Sequence, residues 1–198
     1  IGDLCSQSEK PILFENIKGF SGWKICDLLV KDRNRQAIAL KTTPENVVRD
    51  LAAKINNGPG KTAVVATGPV KEKILNGNQA RFSKIPFCVH SPRDGGPYIG
   101  SGMCVVRDPD TGFQNVAIHR IHIKGPSHAA VSLFSPHSKA ILQKYAERKK
   151  PAPMAVVIGH HPCLEIATNY FGPHDTWSAF DLAAPLLDED VAMLRCEN

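Results

Sequence analysis

Between residues 43 and 58 the apolar positions recur at helical spacing. Val47, Val48, Leu51, Ala52 and Ile55 share one face. Thr43-Pro44-Glu45 offers a capping hydroxyl, a first-turn proline and an acid near the positive helix end, and Asn56-Asn57-Gly58 closes the segment. Ahead of it, residues 11–41 alternate short apolar runs with glycine, as in Pro11 to Asn16 and Gly19 to Trp23. That pattern predicts short strands and turns, with Gln36 to Leu40 as a further strand.

Strands are also predicted at Ala63 to Ala66, about 98–106 and 115–124, with a short helix from Val70 to Leu75. Ala129 to Phe134, a helix from Ser138 to Lys149, and Met154 to Gly159 read as a βαβ unit with parallel strands. The helix carries Ala140, Ile141, Tyr145 and Ala146 on one face. A short helix from Leu164 to Tyr170 and a strand from Val191 to Leu194 follow. This is the element order of an α/β (α+β) protein, without internal repeats.

Composition changes the picture little. The 198 residues suffice for one domain, or one domain plus an appended piece, and 42% apolar with 22% charged residues is ordinary for a globular protein. Lys and Arg number 24 against 19 Asp and Glu. The one basic run, Arg148-Lys149-Lys150, ends a predicted helix, where cations meet the negative end of the dipole. Aromatics are not interleaved with the basic residues, so no nucleic-acid partner is expected. Six dispersed cysteines form no C-x-x-C pair, which argues against a structural zinc knuckle. No signal peptide and no apolar run of ~18 residues occurs, so a cytoplasmic protein with reduced thiols and no membrane partner is expected. The chain begins at Ile1 and stops at Asn198, just after a predicted strand, and reads as a segment of a longer protein.

The chemistry concentrates between Arg107 and His137. The turn Asp108-Pro109-Asp110-Thr111-Gly112 opens into a run with Asn115, His119, Arg120 and His122, and a second run ends at Ser135-Pro136-His137. Asn, Arg and His together supply an oxygen ligand, a fixed cation and an imidazole, a set that suits a metal-bridged phosphate. On an extended strand Asn115, Ala117 and His119 share one face, with Val116, Ile118, Arg120 and His122 on the other. Arg120 beside Val116 and Ile118 must find an anionic partner, a structural carboxylate or a phosphate. His137 ends a strand ahead of a helix, where ligands collect in α/β sheets and where a simple cap also fits.

Gly58-Pro59-Gly60-Lys61-Thr62 suggests a P-loop and fails its pattern. That motif needs glycine five places before Gly60, where Ile55 stands, and here a helix precedes the loop. His160-His161 lacks the ligand spacing of a zinc site; loop histidines of this kind are most often solvated, and no role is assigned to the pair. Asp181 enters an apolar helix, either as an N-terminal acid or as an oxygen ligand that, with Asn115 and one imidazole, suits Mn²⁺ or Mg²⁺.

At these residues the chain resembles the UbiD-like family of decarboxylases that depend on prenylated FMN (prFMN). The matching pieces are Pro11-Ile12-Leu13-Phe14-Glu15-Asn16-Ile17-Lys18-Gly19, Pro97-Tyr98-Ile99 and Arg107 to Gly112. They continue through Asn115-Val116-Ala117-Ile118-His119-Arg120, His137, Ala155 to Gly159 with Pro162, and Leu194-Arg195-Cys196-Glu197. The resemblance implies a split β-barrel flavin-binding domain over 61–198 with flanking helices, and residues 1–60 as the end of an N-terminal region. It implies prFMN whose phosphate is held through Mn²⁺ (or Mg²⁺) and K⁺. Asn115 and His137 match metal ligands, and Asp181 stands nearest the family's third ligand, a glutamate. Ser101, Asn115, Ile118, His119, Arg120 and His137 fall around the cofactor, and Arg120 matches the arginine near the substrate carboxylate.

The function implied is reversible, non-oxidative decarboxylation of an aromatic or unsaturated acid. Ile118-His119-Arg120 is similar to members that act on hydroxylated benzoates. A flavin prenyltransferase would supply the cofactor, the full-length protein would be a homo-oligomer, and the family's catalytic carboxylates would lie beyond this segment. Two alternatives stay open: a plain FMN-binding reductase-like module, and a non-catalytic subunit or fragment.

Overall fold

The computed structural model describes residues 2–170 and 176–197. In chain order its strands are β1 (Ile12–Phe14), β2 (Ile25–Asp27), β3 (Thr62–Val64), β4 (Tyr98–Ile99) and β5 (Met103–Arg107). They continue as β6 (Gln114–Ile118), β7 (Arg120–Ile123), β8 (Ala129–Ser132), β9 (Met154–Val157) and β10 (Val191–Met193). The helices are α1 (Gly2–Gln7), α2 (Arg33–Leu40), α3 (Val47–Asn56), α4 (Pro136–Glu147), α5 (Pro162–Ala167) and α6 (Ala179–Leu187).

Two stretches expected as continuous strands each break and change sheet. β4 pairs with β7, which pairs with β8, while β5 lies between β6 and β9; all four pairings are antiparallel. The breaks fall at residues 100–102 and at His119, the points where strands turn a corner between sheets. Register runs from Ile99 opposite Ile121 to Met103 opposite Ile118, so residues 100–102 lie alongside 119–120. Glycine is required at 102, since a Cβ there would sit 2.8 Å from Ile99 Cγ2 and 2.9 Å from Val156 Cγ1.

The expected parallel βαβ unit is not formed. β8 and β9 belong to different sheets and both pair antiparallel, because α4 packs on β5 and β6 through the fully buried Ile141 and carries the chain from one sheet to the other. The crossover rule binds only strands of one sheet. The strand expected at Gln36 to Leu40 is instead the second half of α2. The Asp32 side chain accepts from Arg35 N–H at its start, and Lys41 closes it in the left-handed region at φ 55°. Ala37 and Leu40 are buried while Ile38 is exposed, the spacing of a helix. The helix expected from Val70 to Leu75 is only a 3₁₀ turn at Pro69–Lys71.

α3 begins at Val47, later than Thr43-Pro44-Glu45 suggests, and ends at Asn57 with Gly58 at φ 88°. α5 starts before Leu164, because His161 Nδ1 accepts from Cys163 N–H at 3.2 Å and Pro162 takes the first turn. β10 pairs parallel with β3.

The main core gathers α2, α3, α5 and α6 against Met103, Val116 and Val191. α6 is its centre: Phe180, Leu182, Ala183, Ala184 and Leu186 are all buried. Truncating Leu182 or Leu186 to alanine there costs about 2–5 kcal/mol. The Gly58 to Thr62 loop docks on this helix, with Gly60 against Ala184 and Pro185, and is thus a packing element. A smaller cluster of Ile99, Cys104 and Ile121 fills the corner between the sheets.

Candidate functional site

The site is built where β6 meets the first turn of α4. Ser135 caps α4, its Oγ accepting from Ser138 N–H at 3.3 Å, and Pro136 is preset for the helix start. This capping turn fixes His137 and Ser138 beside the β6–β7 corner. Asn115 Nδ2 donates to Ser138 Oγ at 2.8 Å, and His119 Nε2 lies 3.0 Å from the same oxygen. All three side chains are buried. Burial lowers the His119 pKa, so the ring is neutral near pH 7.

Asn115 and His137 line one small cleft, with Phe113, Tyr170, Trp177 and Ser178. The rings of Tyr170 and Trp177 stack at 6.3 Å and 25°. The Asn115 N–H is committed to Ser138, while its carbonyl oxygen has no partner among the described residues. α6 contributes Ser178, Ala179 and Leu182 to the cleft.

Asp181 is held in a capping box with Ser178, which lines the cleft, but is not itself among the lining residues. Its Oδ2 accepts from Ser178 N–H at 2.9 Å, and its own N–H donates to Ser178 Oγ at 3.3 Å. One carboxylate oxygen is thereby used locally. Among the described residues no three His, Cys, Asp or Glu side chains form a metal-holding group. Asn115 and His137 bring an amide oxygen and an imidazole to the cleft, donor types that suit a hard divalent cation such as Mn²⁺.

Arg120 differs from expectation. The break at His119 resets the alternation, so Ile121 is buried and Arg120 is exposed, opposite Ser132 on β8. It has no ion pair among the described residues, and the forced anionic partner expected for a buried arginine is not needed. Ser101 is exposed at the neighbouring bend, and Ile118 is half-buried at the end of β6. The His160 side chain is 4% exposed, with Nε2 3.8 Å from Glu165 Oε2, while His161 caps α5.

Ser138 is not among the residues expected at the site. A serine three places after a helix cap is commonplace, and only the fold reveals that it joins Asn115 to His119. The stacked pair Tyr170 and Trp177 was equally invisible to spacing.

The sequence profile of a UbiD domain, described as the 3-octaprenyl-4-hydroxybenzoate carboxy-lyase Rift-related domain, matches residues 62–198. An anhydromevalonate phosphate decarboxylase from Methanothermobacter thermautotrophicus is 28% identical over 94% of this chain and 43% of its own length. A phenolic acid decarboxylase from Sedimentibacter hydroxybenzoicus is 25% identical over 79% of this chain and 35% of its own. An evolved dimeric form of the UbiD-class enzyme HmfF from Pelotomaculum thermopropionicum, solved in complex with prFMN, superposes with a TM-score of 0.87. It is 29% identical over 95% of this chain and 44% of that one. The chain thus spans less than half the length of these proteins. With a mixed α/β fold like that of UbiD-class structures and a family profile matching most of its residues, the chain belongs to the UbiD family of carboxy-lyases.

Proposed function

We propose that this chain forms the prFMN- and metal-binding part of an enzyme for reversible, non-oxidative decarboxylation of an aromatic or unsaturated carboxylic acid. The observation that carries the reading is that Asn115 and His137, from different elements, line one cleft. That the Asn115 carbonyl oxygen has no hydrogen bond among the described residues supports it further. In this reading the two three-stranded sheets are halves of a split barrel over 61–198, with residues 1–60 as the end of an N-terminal region. The relatives' names both denote loss of CO₂, which supports the reaction class, and they differ in the acid used.

Loss of CO₂ from an sp² carbon leaves charge that a bound prFMN takes up as an electron sink. The chain's own residues do the positioning. Asn115 and His137, with a carboxylate oxygen of Asp181, would hold Mn²⁺ or Mg²⁺ for the cofactor phosphate, with K⁺ as a further cation. Arg120, without an ion pair among the described residues, orients the substrate carboxylate through two parallel N–H donors. Ser101, Ile118 and His119 complete the cofactor's surroundings at the corner.

No helix among the described residues is long and apolar enough to cross a membrane, and all six cysteines are free. Both are compatible with a cytoplasmic enzyme. A flavin prenyltransferase as supplier and self-association of the full-length protein belong to the same proposal.

The test is His137→Ala in the full-length protein, produced with a flavin prenyltransferase in Mn²⁺ and K⁺. Loss of cofactor absorbance and bound metal at nearly unchanged Tm is expected; undiminished retention rejects the site. Tight binding of unmodified FMN without metal, with hydride transfer from NAD(P)H, would point instead to a reductase-like module.

A further inference from the structure

With the Asn115 amide presenting Nδ2 to Ser138 Oγ, the direction of the buried Asn115–Ser138–His119 contact follows by counting protons. Asn115 presents its N–H to Ser138 Oγ. The serine oxygen accepts that proton and must place its own O–H elsewhere. The available acceptor is His119 Nε2 at 3.0 Å, since no other bond of this hydroxyl occurs among the described residues. His119 then carries its proton on Nδ1, a buried nitrogen without a partner among the described residues. In the opposite assignment Nε2–H donates to the serine. That leaves both the Ser138 O–H and the Nδ1 lone pair unsatisfied, two buried orphans instead of one. A buried orphan costs free energy, so the assignment with fewer of them prevails.

We infer that Ser138 is a positioning residue that orients the Asn115 amide. Its oxygen holds Nδ2, which turns Oδ1 toward the cleft as the only oxygen the amide can offer a cation. A flipped amide would present N–H donors to a positive ion. His119, buried at the strand corner, fixes the serine hydroxyl so that its oxygen stays an acceptor. The relay ties β6 to α4, and the adjacent His137 is carried on the same helical turn. The inference rests on the proposed role of Asn115 as a metal ligand.

The experiment titrates Mn²⁺ into the full-length protein holding FMN and follows the free Mn²⁺ signal by electron paramagnetic resonance. It compares wild type, Asn115→Ala, Ser138→Ala, Ser138→Thr and the Asn115→Ala/Ser138→Ala double variant. Ser138→Ala is expected to weaken Mn²⁺ binding by about 10-fold or more, the usual cost of losing an outer partner of a ligand. Ser138→Thr, which keeps the hydroxyl, should recover most of the loss, and the double variant should bind no worse than Asn115→Ala alone. Wild-type affinity in Ser138→Ala beside a loss in Asn115→Ala overturns the positioning role and spares the proposed site. Wild-type affinity in Asn115→Ala overturns both. A second reading needs no variant: the ¹⁵N shifts of His119 in the native protein report its tautomer. Protonation on Nδ1 supports the relay, and protonation on Nε2 overturns it even if the serine variants fail to fold.

Discussion

The backbone N–H of Gly60 donates to the carbonyl of Asp181 across 2.9 Å. That carbonyl would ordinarily bond the N–H four residues on, but position 185 is proline and has none. Gly60 thus supplies the donor that the helix interior lacks, and the loop before β3 becomes part of α6. The contact is possible only for glycine, since a Cβ at 60 would lie 2.5 Å from Ala184 Cβ and 2.9 Å from Pro185 Cδ. Gly60→Ala should therefore destabilise the protein by about 1–3 kcal/mol, the usual cost of overpacking. Urea unfolding should show a lower midpoint at unchanged slope. If Asp181 is a metal ligand, metal retention should weaken as well, because Asp181 sits on the helix that the added Cβ would push.

Asp108 is a buried carboxylate with its partner close by. Lys144 Nζ lies 2.6 Å from Oδ2, and the N–H of Asp110 donates to Oδ1 at 2.8 Å. Burial alone would raise this carboxyl's pKa. The Lys144 hydrogen bond, the Asp110 and Thr111 N–H groups and the lysine charge together outweigh it and hold the pKa below the usual carboxylate range. A carboxylate depressed on folding contributes stability that is present above its unfolded pKa of about 3.9 and lost as pH falls through the lower folded value. Lys144→Met removes the partner while leaving the charge buried. The variant should unfold at lower urea than wild type at pH 7. That deficit should narrow as pH drops below about 4, which stability curves at several pH values would show.

Legibility followed from whether one period, one cap or one resemblance decided a segment. α3 shows a single apolar face and a Gly58 stop, so its existence was plain. Ala37-Ile38-Ala39-Leu40 fits a strand as readily as a helix, and the deciding cap, Asp32, lies four residues outside the expected strand. The break at His119 carries no glycine or proline to announce it, and it alone moved Arg120 from an apolar face to solvent. Asn115 and His137 were legible through the resemblance, and they do line one cleft. Ser138 joins residues 23 and 19 positions away in the chain, a relation that local patterning does not encode.

The cysteines divide by burial. Cys104 and Cys163 are wholly buried, and burial pushes both thiols up to about 11. Cys26 and Cys196 are exposed. Thiolate is the reactive form, so iodoacetamide at pH 8 should modify Cys26 and Cys196 in the native protein and reach Cys104 and Cys163 only after unfolding. Mass spectrometry of peptides from native and urea-treated protein checks this. Rapid native labelling at Cys104 would show that the corner between the two sheets opens.

Arg120 separates the function from the fold more cleanly than any buried residue. It is exposed, opposite Ser132, and makes no ion pair among the described residues, so nothing in the packing depends on its guanidinium. An exposed substitution of this kind typically shifts Tm by no more than about 2 °C. If Arg120 orients the substrate carboxylate, Arg120→Ala should lower kcat/KM for decarboxylation by at least about 100-fold, the scale of lost positioning. Arg120→Lys should recover only part of that, because a lysine keeps the charge but not the two parallel donors. Both variants should retain Mn²⁺, since no proposed metal ligand is removed. Steady-state rates measured beside Tm and metal content make the comparison. A variant that kept wild-type kcat/KM would remove Arg120 from the substrate's path, and one that lost metal first would move it to the cofactor phosphate.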